Sequence, residues 1–380
     1  MDFRPSEEQE LLRRSVREFA ETEIRPHVRE WDQDQQFPIE LVRKMAALGL
    51  LGIQIPEQYG GAAMSAIDYC VCIEEIARVD PAVALSLAAH NGLCSSHIFL
   101  FGSDAQKQRY LIPLAHGEKI GAWGLTESTS GSDAAGMRTT AARAGECWVI
   151  NGSKTFTTHG SIGDVMVVMA VTDRAAGTKG ISAFIVEKGT PGMTPGKKED
   201  KLGMRASDTS EVLFDGCRIP ADQLVGDEGQ GFVNTMQVLD AGRIGIAALA
   251  VGLAQGAYEA ALSYARERKA FGKPIASFQA IQWKLADAAT KIEAARLLTY
   301  RAAFMKERGQ RTTLASAMAK LYASEMAVKV ADDCVQIHGG YGFVKDYPAE
   351  KYFRDVKLTT IGEGTSEILR LVIARQLLSR

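Results

Sequence analysis

The chain has 380 residues, 46% of them hydrophobic and 24% charged, with a formal net charge of −2. That length suffices for two or three domains with buried cores, and the composition is that of a globular chain. Lacking a basic excess, the chain is a poor candidate for a protein whose main task is to bind nucleic-acid backbone. Its longest apolar stretch, residues 244–254, stops at Gln255, short of the ~20 residues needed to span a bilayer. Residues 1–8 carry acid where an export signal carries a basic and then an apolar segment. The expectation is a soluble, cytoplasmic protein with no membrane and no nucleic-acid partner.

Taken in order, the first 115 or so residues read as helical. Residues 8–30 hold no glycine, and Pro26 marks a break or kink. Leu41-Val42, Met45 and Leu48 fall at i, i+4 and i+7. Residues 57–61 form a turn, residues 68–77 and 81–89 read as buried helices, and Ser103 reads as an N-cap. From Gly121 to Gly231 the texture changes to short β-branched runs at 148–150, 164–171, 181–186 and 211–214. Asn151-Gly152 and Asp215-Gly216 are the turn dipeptides between strands. From Phe232 onward long helices return, with Ile281, Leu285, Ala288, Ile292, Ala295 and Thr299 making the seam of an antiparallel bundle. The expected fold class is α+β multidomain. It comprises an N-terminal all-α domain (1–119), a middle β-sandwich or barrel domain (120–231) and a C-terminal four-helix bundle (232–380).

Most familiar chemical motifs are absent. The six cysteines (Cys70, Cys72, Cys94, Cys147, Cys217 and Cys334) form no CxxC pair, and the six histidines form no HExxH, so no metal site is expected. There is no GxSxG elbow, no phosphate loop and no GxGxxG fingerprint. Three segments stand out instead. Residues 124–136 are dense in hydroxyls and glycines, which suits either a polar cofactor or a plain capped surface loop. Residues 336–343 place three glycines in four positions after a helix, more than a C-cap requires. In residues 361–368, Glu363 sits between Gly362 and Gly364, free to approach a ligand, although a lone Glu at a helix entrance is more often a dipole partner.

Together these segments resemble the acyl-CoA dehydrogenase family, and the resemblance runs over essentially the whole chain. The 126–136 loop fits one family motif; residues 336–355, with Gly339, Gly340, Gly342, Asp346, Lys351 and Asp355, fit another. Arg268 to Gly272 and Phe278-Gln279 lie where the family has equivalents, and the stretches Leu239 to Leu298 and Ala315 to Arg380 are most similar to the short-chain and general bacterial branch. The resemblance implies an FAD enzyme that removes the pro-R α-hydrogen of an acyl-CoA as a proton and a β-hydrogen as hydride. It makes Glu363 the base. A second branch keeps its base at the position of Gly242, where glycine has nothing to offer.

By the same resemblance Leu125, Thr126, Ser132, Phe156, Thr157 and Thr158 surround the flavin. Arg268, Phe271, Gln279, Gln336, Ile337, His338, Gly339 and Gly340 hold the adenosine diphosphate half, largely from a neighbouring subunit. His338 is counted through its backbone, with its ring packed. Thr365 and Glu367 are further FAD contacts, and Ser132, the Asp240–Arg243 turn and Gly364 touch acyl-CoA. Expected partners are short- to medium-chain, including branched, acyl-CoA substrates in fatty acid β-oxidation. Electron-transfer flavoprotein is the expected acceptor, and a homotetramer built as a dimer of dimers the expected assembly.

Three positions depart from the family pattern: Phe156 replaces a usual Trp, His159 a usual Asn, and Gly362 a usual bulky aromatic before the base. The competing readings are an acyl-CoA oxidase or other flavin oxidase on the same scaffold, a nucleic-acid-associated relative, and a non-catalytic flavin scaffold. The retained Glu363, and the end of the chain just after the last helix, favour the dehydrogenase.

Overall fold

The computed structural model describes residues 5–379. Its first part is helical: α1 (Glu7–Phe19), α2 (Val28–Asp34), α3 (Ile39–Ala47), α4 (Ala66–Val79), α5 (Pro81–Ala88), α6 (Ser96–Phe101), α7 (Asp104–Gln106) and α8 (Ile112–Ala115). Local sequence explains the starts. Ser6, Ser65 and Ser103 each cap a helix reciprocally with the residue three positions on, satisfying two orphan backbone donors apiece. Pro26 lies in the 3-10 turn Arg25–His27 between α1 and α2.

The middle part contributes β1 (Gly121–Gly124), β2 (Thr140–Ala144), β3 (Cys147–Thr158), β4 (Val165–Val171), β5 (Ile181–Glu187), β6 (Met193–Lys198), β7 (Thr209–Pro220) and β8 (Leu224–Val225). They form one mixed sheet in the order β6-β7-β3-β2-β4-β5-β8, with β1 parallel to β4. The unbroken apolar run of β4 is explained by burial on both faces. Val165, Val167, Met169 and Val171 join a core with Ile98, Tyr110 and Leu114 of the helices. Met166, Val168 and Ala170 join a second core with Trp148, Phe184 and Phe214. A period of two thus serves two apolar layers at once.

Two turn dipeptides turn out not to be turns. Asn151-Gly152 lies inside β3 and Asp215-Gly216 inside β7, facing each other where the register of the pair slips between Ile150 and Gly152. There the Gly216 N–H donates to Asn151 Oδ1 at 2.7 Å. The positive-φ freedom of Gly152 and Gly216 is used for a bulge rather than a hairpin.

The last part is α9 (Gly231–Glu267), a small hairpin of β9 (Lys269–Ala270) and β10 (Lys273–Pro274), α10 (Gln279–Glu307), α11 (Thr313–His338), α12 (Ala349–Val356) and α13 (Ser366–Leu378). The seam of α10 is as expected: Ala288, Ile292, Ala295 and Thr299 are buried. The apolar stretch 244–254 lies inside α9, and the helix itself runs on past Gln255 to Glu267. Both α9 and the helical run Pro81–Phe101 are long and apolar enough to cross a membrane, yet most of each apolar window is buried inside the molecule. They occupy the positions of core helices.

One apolar core joins the first and last helical parts, running through α1, α3, α4, α5, α9, α10, α11 and α12. Close approach of α4 to α9 depends on missing side chains: a Cβ on Gly252 would lie 2.2 Å from the Glu74 carbonyl oxygen, and one on Gly256 2.1 Å from that of Arg78. A buried polar knot ties all three parts together. Lys351 Nζ donates to Asp80 Oδ1 at 3.0 Å and Asp355 Oδ2 at 2.6 Å, while Asp355 Oδ1 accepts from the Met204 N–H at 2.6 Å. Two of the second motif's charged residues, Lys351 and Asp355, are thus explained by architecture.

Candidate active site

Glu363 sits in the short connection between the 3-10 turn Lys357–Thr360 and α13. Thr365 caps α13, accepting from the Ile368 N–H at 3.3 Å. The connection is bent left-handed at two successive residues, Glu363 (φ 54°) and Gly364 (φ 106°). For a glutamate that backbone is unusual and needs support from its surroundings. Two side chains supply it. Arg243 Nε of α9 donates to the Glu363 carbonyl at 3.3 Å, and Lys320 Nζ of α11 donates to the Gly364 carbonyl at 2.6 Å.

The bend turns the Glu363 carboxyl inward, where Oε2 is buried with no hydrogen-bond partner. Burial pushes its pKa up to about 7, against the pull of the Arg243 and Lys320 cations. Directly beneath lies Gly242, where a Cβ would stand 2.2 Å from Oε2 and 3.2 Å from Leu93 Cδ2. A second buried polar atom without a partner, the Tyr69 hydroxyl of α4, is close by. Hypothetical Cβ atoms on Gly245 and Gly92 would meet that hydroxyl at 2.6 and 3.2 Å. Three glycines therefore let a carboxyl and a phenol pack closely against backbone, the carboxyl over Gly242 beside Leu93 and the phenol between Gly92 and Gly245.

Asp240 and Arg243 are brought to this place, but not as a turn. They lie one helical turn apart inside α9, because residues 231–267 form a single uninterrupted helix. Nor are they a surface ion pair: Arg243 is only 6% exposed, with Nη1 2.7 Å from Asp240 Oδ1. Thr313 donates to the other Asp240 oxygen at 2.6 Å. Gly364 completes this group, while Glu367 is exposed on the first turn of α13.

A second group gathers along β3. The Thr155 N–H donates to the Thr126 carbonyl at 2.8 Å, and Lys154 Nζ reaches the Leu125 carbonyl at 3.2 Å and Glu127 Oε1 at 2.7 Å. Glu127 also accepts from the N–H groups of Arg138 and Thr139 at 2.6 and 3.0 Å, so it buckles the hydroxyl-rich loop onto the sheet. Ser132 is exposed in that loop. Phe156 adopts φ 53° and is 65% exposed, standing out from a break in the β3–β7 register between Lys154 and Thr157. The hydroxyls of Thr155, Thr157 and Ser210 are buried without partners beside it, and Thr158 is half-buried. Orphan hydroxyls next to an exposed aromatic fit a planar, polar-rimmed group such as flavin.

The third group lines a hollow of 480 Å³ formed by Arg268, Ile337, His338, Gly339, Gly340, Tyr264 and Tyr341 among others. Gln336, Ile337 and His338 are the last residues of α11 rather than loop, and the bend comes at Gly339. The His338 ring stacks on Tyr264 at 4.3 Å between centroids, as expected of a packed ring. Phe271, 94% exposed, crowns the β9–β10 hairpin, and exposed Gln279 begins α10. None of the lining residues comes from the 125–158 segment.

The sequence reading missed Tyr69, Lys320, Gly92 and Gly245. For Lys320 a signal existed, since it interrupts a helical stripe of small buried residues, Ser316, Ala323, Ala327 and Ala331. For Tyr69 none existed, because the glycines around it come from two other segments.

Three family models match the chain: the acyl-CoA dehydrogenase N-terminal domain over residues 6–118, the middle domain over 122–217 and the C-terminal domain over 229–378. The chain is similar to a short-chain specific acyl-CoA dehydrogenase of Clostridium acetobutylicum, 48% identical over 98% of this chain and 99% of that one. Its structure is similar to butyryl-CoA dehydrogenase of Megasphaera elsdenii, with TM-score 0.98, 42% identity and full coverage of both chains. It is also similar to a chain whose structure is described as electron transferring flavoprotein of Acidaminococcus fermentans, with TM-score 0.99, 46% identity and full coverage of both. The helix–sheet–helix frame, the three domain matches and these likenesses make the chain an oxidoreductase of the acyl-CoA dehydrogenase class. The chain belongs to the acyl-CoA dehydrogenase family, whose members are FAD-dependent.

Proposed function

We propose that this protein converts short- to medium-chain acyl-CoA to the trans-2-enoyl-CoA, with Glu363 as the base. The observation that carries the reading is the buried, partnerless Oε2 of the Glu363 carboxyl, set over Gly242, with the group's pKa pushed up to about 7. A base poised there takes a proton at working pH and is further desolvated when an acyl chain fills the space beside it. The α-proton of a thioester becomes acidic enough only when its carbonyl is polarised by aimed hydrogen-bond donors. The Glu363 backbone N–H, presented by the left-handed bend, is the donor this chain contributes. When bound, FAD accepts the β-hydride. Phe156, Thr157, Thr158, Leu125 and Thr126 would hold its ring system, and Ser132, Arg243 with Asp240, and Gly364 would line the way for the thioester.

The hollow at Arg268 and Gly339-Gly340, with Phe271, Gln279 and Gln336 at its margins, would take the adenosine diphosphate half of a cofactor seated mainly on a neighbouring subunit. Thr365 and Glu367 are assigned to the same cofactor. The separation of this hollow from the 125–158 segment supports sharing, and with it a homotetramer built as a dimer of dimers. Electron-transfer flavoprotein is the proposed acceptor, on the strength of the Acidaminococcus likeness, with fatty acid β-oxidation in the cytoplasm as the setting. Branched chains are proposed as substrates too, because the nearest atoms a Cβ at Gly362 would meet are those of Leu358, no closer than 3.6 Å. The test is a panel of acyl-CoAs assayed with an artificial electron acceptor. Turnover of butyryl-CoA with small branched chains accepted is the expected result; no turnover of any short acyl-CoA by FAD-loaded protein would overturn the reading.

A further inference from the structure

Five elements pack around Glu363, and the charged and titratable groups they present are few. Tyr69 comes from α4, Arg243 from α9, Lys320 from α11 and Glu367 from α13, while the segment Ala89–Ser95 presents only Leu93. Arg243 has its own counter-ion in Asp240. Lys320 does not: its side chain is fully buried, and among the described residues no carboxylate pairs with it directly. A buried ammonium whose one hydrogen-bond partner is a neutral carbonyl is costly. It persists where a nearby negative charge compensates it, and the base is the compensating group within electrostatic reach, with Glu367 a weaker and exposed contributor.

Geometry adds a second task. The two bent residues of the base loop each offer a carbonyl, and each carbonyl is gripped from a different helix, Glu363 by Arg243 and Gly364 by Lys320. Releasing the Gly364 carbonyl would free half of the clamp that holds a glutamate left-handed. We propose that Lys320 is a positioning residue for the base: its ammonium grips the Gly364 carbonyl and, lacking a partner of its own, keeps the Glu363 carboxyl ionised. This rests on Glu363 being the base, as proposed above. Lys320 does not touch the acyl group; it acts through Glu363. Burial lowers its pKa, to about 8 even with the charge on Glu363 pulling upward, and its cation in turn pulls the Glu363 pKa down, so each group supports the ionised form of the other.

The experiment uses two variants of the FAD-loaded enzyme, Lys320→Met, which removes charge and hydrogen bond, and Lys320→Gln, which keeps a donor for the Gly364 carbonyl. Difference infrared spectroscopy without substrate follows the protonated-carboxyl band against pH, with Glu363→Gln as the blank. Loss of a nearby cation should move the Glu363 midpoint upward by about one unit or more in both variants. The acidic limb of kcat/KM for butyryl-CoA should follow by the same amount, with KM changed less than kcat. At high pH the Gln variant should recover most of the turnover and the Met variant less, and added methylammonium should restore part of the Met variant's loss at neutral pH. An unmoved infrared midpoint in the Gln variant, or a loss of turnover equal at every pH, overturns the proposal. If wild type fails to oxidise any acyl-CoA, the functional reading fails, while the infrared titration still decides what Lys320 does.

Discussion

Glu363 shows how one residue can be costly to the fold and useful to the site. Its pKa in the folded chain, about 7, lies above the ordinary 4.5. The sign follows: the folded state holds this proton more tightly, so stability from the group is full below pH 4.5 and is lost as pH rises through 7. Ionising the carboxyl in place costs on the order of 3 kcal/mol by the shift alone. Glu363→Gln should therefore raise the melting temperature at pH 8 and leave it unchanged at pH 4. An equal shift at both pH values would mean packing, not charge, is responsible. Gly242 belongs to the same scale. A methyl group 2.2 Å from Oε2 leaves no room for the carboxyl, so Gly242→Ala should cut turnover by about tenfold or more while FAD content stays near that of wild type. An alanine variant with normal kcat would show that the loop has slack to move aside.

At the scale of elements, the knot of Lys351, Asp80 and Asp355 joins α12 to the start of α5 and to the Met204 turn. The three side chains are buried. Removing the cation leaves two carboxylates facing each other in an apolar setting, and breaking such a pair by one partner typically costs about 3–5 kcal/mol. Lys351→Met is expected to lower denaturant stability by that order, and a change under about 1 kcal/mol would assign the knot to specificity alone. Elements also show why parts of the sequence were legible and others were not. The seam of α10 and the runs of β4 and β5 declare themselves because their partners are regular layers. Asn151-Gly152 and Asp215-Gly216 mislead because a bulge and a hairpin demand the same backbone freedom, and only the facing strand decides between them. Asp240 to Arg243 looks like a polar interruption in sequence, yet helix continuity from Gly231 to Glu267 is dictated by the packing of α4, α10 and α11 around it.

For the whole molecule, the site exists only because distant parts converge: Tyr69 from α4, Leu93 from the following helical run, Gly242 and Arg243 from α9, Lys320 from α11 and Glu363 before α13. Glu363, the proposed base, was picked out in the sequence by its glycine frame and motif. Its surroundings were not, since each neighbour is an ordinary tyrosine, glycine or lysine until the fold assembles them. The hollow at Arg268 and the orphan hydroxyls of β3 share no lining residue in one chain, and the proposed assembly brings a hollow from one subunit to the hydroxyls of another. Dilution to monomer, followed by sedimentation with flavin absorbance, should therefore release FAD; a monomer that keeps stoichiometric FAD would contradict the shared site.

The most direct measurement of the central claim is the rate at which butyryl-CoA bleaches the bound flavin in a single turnover, compared between wild type and Glu363→Gln with equal FAD content. Loss of a general base costs about 10²–10⁴-fold. The account predicts a fall of at least that order with butyryl-CoA binding retained, and bleaching by the variant at near the wild-type rate would contradict it.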